Sequence, residues 1–244
     1  MASISPSPVP DAGVDKSTAA LFQQDWNTYR KMVDHNYLFH REAYGRLRQI
    51  LRDELRRPFH FLDIACGDAS VVVGALEGTQ VAHYRGIDFS AAALGLARPA
   101  LDALGCPVVL EERDFVAALK HESGSADVAW ISLSLHHLLA PAKLKAMRSI
   151  RNMIGEHGHF LIYENASPDG EDRWSWLRRW DEQEPSWTAY TAQEWRRTTA
   201  HVHAADYPET SSRWHSLGYE AGFGHVQEVF ISPTDLFRMY HFKP

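Results

Sequence analysis

Residues 59–69 read FHFLDIACGDA, an apolar run that ends in an acidic residue and continues into small side chains. Phe59–Ile64 has the length and composition of a buried strand. The residues that follow, Ala65–Ala69, are small enough to let a ligand approach the backbone, and the first amides of a following helix favour a carboxylate or phosphate. This stretch therefore predicts a strand, a tight turn and a helix, with a ligand at the turn.

Strand-like and helix-like segments alternate along the rest of the chain. Four further strands are predicted at Ala82–Asp88, Pro107–Leu110, Val128–Ser132 and His159–Glu164. Between them lie amphipathic helices, one capped by Ser90 and ending at Gly105, another starting near Pro141. Short strands separated by helices indicate an α/β fold with a parallel sheet covered on both faces, the doubly wound arrangement.

The two ends of the chain differ from this pattern. Residues 1–20 are rich in Ser, Pro and Ala and predict a disordered tail, and residues 21–57 predict an N-terminal helical cap. At the other end, His225–Ile231 and Leu236–Phe242 are separated by a turn so short that they must form an antiparallel hairpin. We therefore expect a single domain over residues 21–244, with a helical lid at 166–222.

Composition excludes several classes of protein. The chain has 244 residues, of which 45% are hydrophobic, and a formal net charge of −6. No window is apolar enough to span a membrane, two cysteines suit a reducing compartment, and the acidic balance disfavours non-specific nucleic-acid binding. We expect a cytoplasmic monomer or homodimer with no membrane or nucleic-acid partner.

Polar residues follow each predicted strand, at the sheet edge where open parallel sheets bind ligands. Asp88 ends the second strand, 21 residues after Gly67, where a carboxylate can accept two ribose hydroxyls. Asp114 and Phe115 follow the third strand and suit the amino group and the face of an adenine. Two histidines follow the fourth strand, and Glu164 ends the fifth.

In this order and spacing the chain resembles the class I S-adenosylmethionine-dependent methyltransferases of the small-molecule branch, from Trp26 to Phe242. The resemblance implies a Rossmann-like sheet of seven mostly parallel strands with the last one antiparallel, and S-adenosyl-L-methionine (SAM) as cofactor, converted to S-adenosyl-L-homocysteine (SAH). Residues carried over to cofactor binding are Asp63, Ala65, Cys66, Gly67, Asp88, Phe89, Asp114, Phe115, Ser132, Leu133, His137 and Tyr29. The chain departs from the family pattern where Ala65 and Ala69 replace glycines and where Gly155–Gly158 replaces a Pro-Gly-Gly turn.

The implied activity is methyl transfer to an oxygen or nitrogen atom of a small-molecule acceptor. Five of the eight tryptophans lie between Trp174 and Trp195, soon after the fifth strand, and predict an aromatic acceptor pocket, although a pair of helices could equally bury them. Candidate acceptor-binding residues are Trp26, Tyr37, Asn165, Trp176 and Trp180. Candidate catalytic groups, needed only if the acceptor must lose a proton, are His136, His137, His35 and Glu164.

Other functions remain open at this point. An NAD-binding domain also places an acidic residue about 20 positions downstream, but it requires a spaced glycine triad that this chain lacks. A tRNA, rRNA or protein methyltransferase and a non-catalytic SAM-binding module are the alternatives within the fold. No metal is expected, because His201 and His203 lie two apart on a predicted helix and therefore face different directions.

Overall fold

A computed structural model of the chain describes residues 26–120 and 126–244, with the side chain of Trp26 left undescribed. The predicted tail, residues 1–20, lies outside the described residues. The strands are β1 (Phe59–Ile64), β2 (Val81–Asp88), β3 (Val108–Glu112), β4 (Val128–Ser132), β5 (His159–Ser167), β6 (Glu209–Thr210), β7 (His225–Ile231) and β8 (Phe237–Lys243). The helices are α1 (Trp26–Asp34), α2 (His40–Glu54), α3 (Ser70–Leu76), α4 (Ala91–Leu101), α5 (Phe115–Lys120), α6 (Ala140–Ile154), α7 (Arg173–Asp181), α8 (Ala192–Ala205) and α9 (Ser211–Glu220).

The sheet has the strand order β3-β2-β1-β4-β5-β8-β7. Strands β1 to β5 are parallel to their neighbours, whereas β8 runs antiparallel to both β5 and β7. The doubly wound fold with an antiparallel last strand is therefore confirmed. The order reverses between β1 and β4, and this reversal opens a crevice at the carboxyl ends of the strands.

The structure adds an eighth strand to the seven expected. The two-residue β6 pairs with the end of β5, where Ala166 lies opposite Glu209. Strand β5 extends to Ser167, three residues beyond the predicted end. A pair of residues carries no periodicity, so β6 arises only because the chain returns beside an extended β5.

Alternating strand residues fill two apolar layers. Phe61 packs in the layer under α2, α3 and α4, while its neighbour Leu62 packs in the layer under α5, α6 and α9. Ser90 caps α4 as predicted, because its side chain accepts a hydrogen bond from the Ala93 amide, and Gly105 ends the following turn in a left-handed conformation. These layers hold the crevice rigidly from both faces.

The N-terminal helices and the segment after β5 meet above the crevice. Lys31 on α1 lies 2.7 Å from the Glu194 carboxylate on α8. Tyr37 stacks on Trp187 with ring centroids 4.5 Å apart, and its hydroxyl accepts the Ala189 amide. In the described part of the chain, no helix is both long and apolar enough to cross a membrane.

Candidate functional site

A cavity of about 200 Å³ lies in the crevice, bounded below by strand ends and above by α1 and α8. Its floor comes from the turns that follow β1, β2 and β4. Its roof includes Tyr29 of α1 and His201 of α8. One space therefore joins the small-residue turn to the histidines that follow β4.

The turn after β1 takes a conformation that depends on small residues. Ala65, Gly67 and Ala69 all have φ between 54° and 57°, a region that most side chains avoid. A Cβ atom on neighbouring Gly86 would lie 2.8 Å from the Cys66 sulfur, so β2 can pass the turn only with glycine there. The backbone of the turn consequently lies open to the cavity.

Asp88 connects this turn to the end of β2. One carboxylate oxygen accepts the Gly67 amide and the other accepts the Ser90 amide, each at 2.8 Å. Burial raises the pKa of Asp88, against the lowering effect of these amides. Each oxygen retains a lone pair, and the residue lines the cavity, so it can accept hydroxyl groups of a ligand as well.

Asp63 lies beneath the turn, and Cys66 lies within it. Asp63 accepts the Tyr84 hydroxyl at 2.6 Å and does not line the cavity, and burial raises its pKa to about 7. Burial also raises the pKa of the Cys66 thiol, so the sulfur stays protonated. A thiol in that state serves packing and is a poor nucleophile.

Glu164, at the end of β5, organises the turn after β4. Its buried carboxylate accepts the backbone amides of Ser134 and Leu135, and one oxygen lies 2.8 Å from Nδ1 of His136. Burial raises the pKa of Glu164 to about 7, opposed by these amides. An ionised Glu164 carboxylate can only accept a hydrogen bond, so Nδ1 of His136 donates to it and the lone pair of the ring lies on Nε2, which faces away from Glu164.

Asp206 completes this polar cluster, and sequence reasoning missed it. Oδ2 accepts the Asn165 amide at 2.8 Å. Oδ1 is buried without a hydrogen-bond partner among the described residues, 3.4 Å from Nδ1 of His137 and 3.7 Å from Nε2 of His136. Burial raises the pKa of Asp206 to about 8 and lowers the pKa of both histidines well below the ordinary range.

The structure brings most of the predicted site residues to the cavity but leaves several outside it. Those lining it are Tyr29, Ala65, Cys66, Gly67, Asp88, Phe89, Phe115, Ser132, Leu133, His136, His137, Asn165 and Trp180. Those that do not line it are Asp63, Asp114, His35, Tyr37, Glu164 and Trp176. The Trp26 side chain lies outside the description.

Each of the outlying residues has a local partner. Asp114 caps α5 by accepting the Ala117 amide, and His35 stacks on Tyr37 at 5.5 Å. Trp176 is fully buried and donates to the Leu236 carbonyl. Their polar and aromatic groups therefore make contacts that stabilise the fold.

The tryptophans after β5 pack mainly against one another. Trp180 stacks on Trp195 at 5.8 Å and on Trp176 at 6.0 Å, and Trp187 meets it edge-on at 5.3 Å. Only Trp180 of these four lines the cavity. The helical pair that buries its own tryptophans thus explains most of this aromatic surplus.

Further cavity residues were not found from the sequence. His40 and Tyr44 come from α2, and Thr198 and His201 come from α8. His40 is 5% exposed, its Nδ1 has no hydrogen-bond partner among the described residues, and burial lowers its pKa to about 4. A helix-face pattern marks these residues as inward-facing but cannot separate a cavity wall from a core.

Comparisons with known proteins agree with this architecture. Residues 61–158 match a family model described as a methyltransferase domain. The probable methyltransferase ltbC of Aspergillus luteorubrus is 25% identical over 111 residues, which are 43% of this chain and 39% of that protein. The chain thus spans about two fifths of the length of this curated relative.

Solved structures share the fold at low identity. Magnesium protoporphyrin IX methyltransferase (ChlM) from Synechocystis PCC 6803 with bound SAH is 11% identical, with a TM-score of 0.62 over 94% of this chain and 100% of that one. An O-methyltransferase family protein from Burkholderia thailandensis is 16% identical, with a TM-score of 0.62 over 93% of this chain and 62% of that one. Residues 61–158 thus match a methyltransferase domain, and the chain shares its fold with these solved methyltransferases.

Proposed function

We propose that the protein transfers a methyl group from SAM to an oxygen or nitrogen atom of a small-molecule acceptor. The observation that carries this proposal is one cavity shared by the Ala65–Gly67 turn, Asp88 and the two histidines after β4. Cofactor-type and acceptor-type groups therefore face the same space. A cytoplasmic location, supported by the free thiols of Cys66 and Cys106, belongs to the same proposal.

The lining residues fit SAM by their chemistry. Asp88 offers lone pairs for ribose hydroxyls, and the rings of Phe89 and Phe115 offer apolar faces for an adenine. The backbone of Ala65–Gly67 accommodates the methionine part, with Tyr29 near the sulfonium as an aromatic face that favours a cation. When bound, SAM supplies an activated methyl group for in-line displacement.

The acceptor is expected at the other side of the cavity. Met32, Leu38 and Phe237 give it apolar walls, and Trp180 adds an indole. The cluster of His136, His137 and Asp206 is the polar end, where a hydroxyl or amine can be held and its proton taken up by a ring nitrogen. An apolar molecule with one such group fits this distribution, and burial excludes water from the reacting centre.

Titration calorimetry with SAH tests the cofactor half of the proposal. We expect one binding site per chain, at least tenfold weaker in Asp88→Ala and in Phe89→Ala. Asp53→Ala is the matched control, because Asp53 is exposed on α2 away from the cavity, and its affinity should equal that of the wild type. No binding of SAH, or binding unchanged in both cavity variants, contradicts the proposal.

Measurement of SAH release tests the methyl-transfer half of the proposal. Wild-type protein incubated with SAM and a panel of small phenols and amines should release SAH faster than without an acceptor. His136→Gln should bind SAH normally and lose this acceptor-dependent release. SAH binding with no turnover on a broad panel, unaffected by His136→Gln, favours the non-catalytic SAM-binding module.

A further inference from the structure

Three metal-ligating atoms converge at the polar end of the cavity. His136, His137 and Asp206 each offer one ligand atom, and these three atoms lie within 4.8 Å of one another; the ring nitrogens nearest Oδ1 of Asp206 are Nε2 of His136 and Nδ1 of His137. The two measured separations from Oδ1 are 3.4 Å and 3.7 Å. Two ligands of a tetrahedral Zn²⁺ ion, each about 2.0–2.2 Å from the metal, are themselves separated by about 3.3–3.5 Å. The three atoms thus need only small shifts to share one ion.

Hydrogen bonding within the protein satisfies this cluster only in part: Nδ1 of His137 lies 3.4 Å from the Ala205 carbonyl oxygen, a long contact that a metal ion would replace. Oδ1 of Asp206 is buried and has no hydrogen-bond partner among residues 26–120 and 126–244. A buried carboxylate oxygen without a partner costs free energy, and such atoms call for a ligand, an ion or a water molecule. This unpartnered oxygen is a second observation, independent of the grouping of the three side chains.

The hydrogen bonds that His136 and Asp206 make on the side away from the cluster are of the kind that orients metal ligands. His136 turns its other ring nitrogen to the Glu164 carboxylate at 2.8 Å. Asp206 keeps Oδ2 on the Asn165 amide at 2.8 Å, so that Oδ1 points toward the histidines. A carboxylate behind a ligating histidine and a hydrogen bond behind a ligating carboxylate fix ring tautomer and direction in known metal sites.

We propose that His136, His137 and Asp206 bind one divalent transition-metal ion, with Zn²⁺ as the reference ion. Imidazole and carboxylate ligands suit this class of ion. All three residues line the cavity, so a coordination position faces the acceptor space. The site stands on these contacts alone. Only its role rests on the proposed function: a bound ion would lower the pKa of an acceptor hydroxyl, whose proton would leave to bulk solvent as the acceptor binds, and the ring nitrogens would serve as ligands instead of bases.

The sequence analysis expected no metal, and residue spacing does not indicate this set, because Asp206 lies 69 positions after His137. A second group, Glu54, His159 and His241, also meets the distance criterion. Its donors are already paired, since His159 and His241 bond to each other at 2.9 Å and Glu54 lies 2.6 Å from Lys243. We propose no ion there, and the group provides a matched control.

The test is a titration of chelator-treated protein with Co²⁺, followed by visible absorption, and competition with Zn²⁺. We expect one Co²⁺ per chain with the d–d bands of a tetrahedral or five-coordinate site, displaced by Zn²⁺. Asp206→Asn and His137→Gln should each weaken binding at least tenfold. Asn165→Ala, which removes only the supporting hydrogen bond, should weaken it about 10- to 100-fold. His241→Gln should leave it unchanged.

Each other outcome counts against the site. No Co²⁺ binding to the folded wild type, or binding that persists in Asp206→Asn and disappears in His241→Gln, overturns the proposal. Circular dichroism checks folding, and His137→Gln, with an intermediate burial, decides the matter if Asp206→Asn does not fold. SAH calorimetry on the same samples separates the proposals: SAH binding without metal binding refutes the metal site alone, and metal binding without SAH binding refutes the cofactor assignment alone.

Discussion

Replacing Asp88 by asparagine tests how the ligand-facing turn is held. In the wild type the two carboxylate oxygens accept two backbone amides, Gly67 and Ser90, each at 2.8 Å, and Asp88 is 7% exposed. An asparagine side chain has one oxygen and one NH₂ group, so it can accept only one of these amides. The other amide then faces a donor and loses its acceptor.

The expected loss of stability follows from these two contacts. A buried amide left unsatisfied costs about 1–3 kcal/mol, and exchanging a charged acceptor for a neutral one weakens the remaining bond by about 1 kcal/mol. Together Asp88→Asn should lower the free energy of unfolding by about 2–4 kcal/mol. For a slope near 2–3 kcal/mol per molar urea, the unfolding midpoint falls by roughly 1 M.

Equilibrium urea unfolding, followed by far-ultraviolet circular dichroism, measures this change. Asp114→Asn is the matched control, since Asp114 accepts a single amide at the start of α5 and asparagine caps helices as well as aspartate does. Its midpoint should match the wild type. If Asp88→Asn unfolds within about 0.5 kcal/mol of the wild type, the carboxylate is not what satisfies the two amides and the reasoning fails.

Two further predictions concern packing and pH. Gly218→Ala should destabilise the fold in the same urea assay, because a Cβ atom there would lie 2.7 Å from side-chain atoms of Phe242 and Val226. Gly95→Ala is the control, because Gly95 lies on a helix and a Cβ atom there has nothing within 4 Å. This substitution should stabilise the fold by about 0.5–1 kcal/mol. The Lys31 ammonium and the Thr191 amide lower the pKa of Glu194 from 4.5 to about 2, so its contribution is present above pH 4.5 and is lost as the pH falls toward 2. The protection factors of the amides at the start of α8, taken from hydrogen exchange relative to the intrinsic rate at each pH, should therefore fall across that range, and much less so in Glu194→Gln.

Much of the fold was predictable because most strands and helices are marked by apolar and capping residues within their own stretch of sequence. Val128–Ser132 was predicted at its observed bounds, and the terminal hairpin was displaced by a single residue in its second strand. The predicted third strand, Pro107–Leu110, instead runs from Val108 to Glu112, because pairing with β2 extends it beyond the apolar residues. Apolar periodicity marks the centre of a strand, while its ends depend on the neighbouring strand.

The candidate site was predictable where it follows strand ends. Gly67, Asp88 and His136 lie where parallel strands end, and the topology alone directs them to one crevice. Residues from α8 and the loop after it could not be placed, because their approach to the cavity depends on how that helix packs against α1 and α7. Asp206, buried beside both histidines, is the clearest case.

The sequence by itself determined the order of strands and helices, the ligand-facing turn at Ala65–Ala69 and the carboxylate at Asp88, since each depends on residues close together in the chain. Only the tertiary structure decided that Trp176 is buried within the segment after β5, that Glu164 accepts the amides of the turn after β4, and that one Asp206 oxygen has no hydrogen-bond partner among the described residues beside two imidazoles. Local pattern fixes which backbone conformation a segment prefers. Contacts between segments far apart in the chain decide which polar atoms share a buried space. The spacing of residues along the sequence does not indicate those contacts.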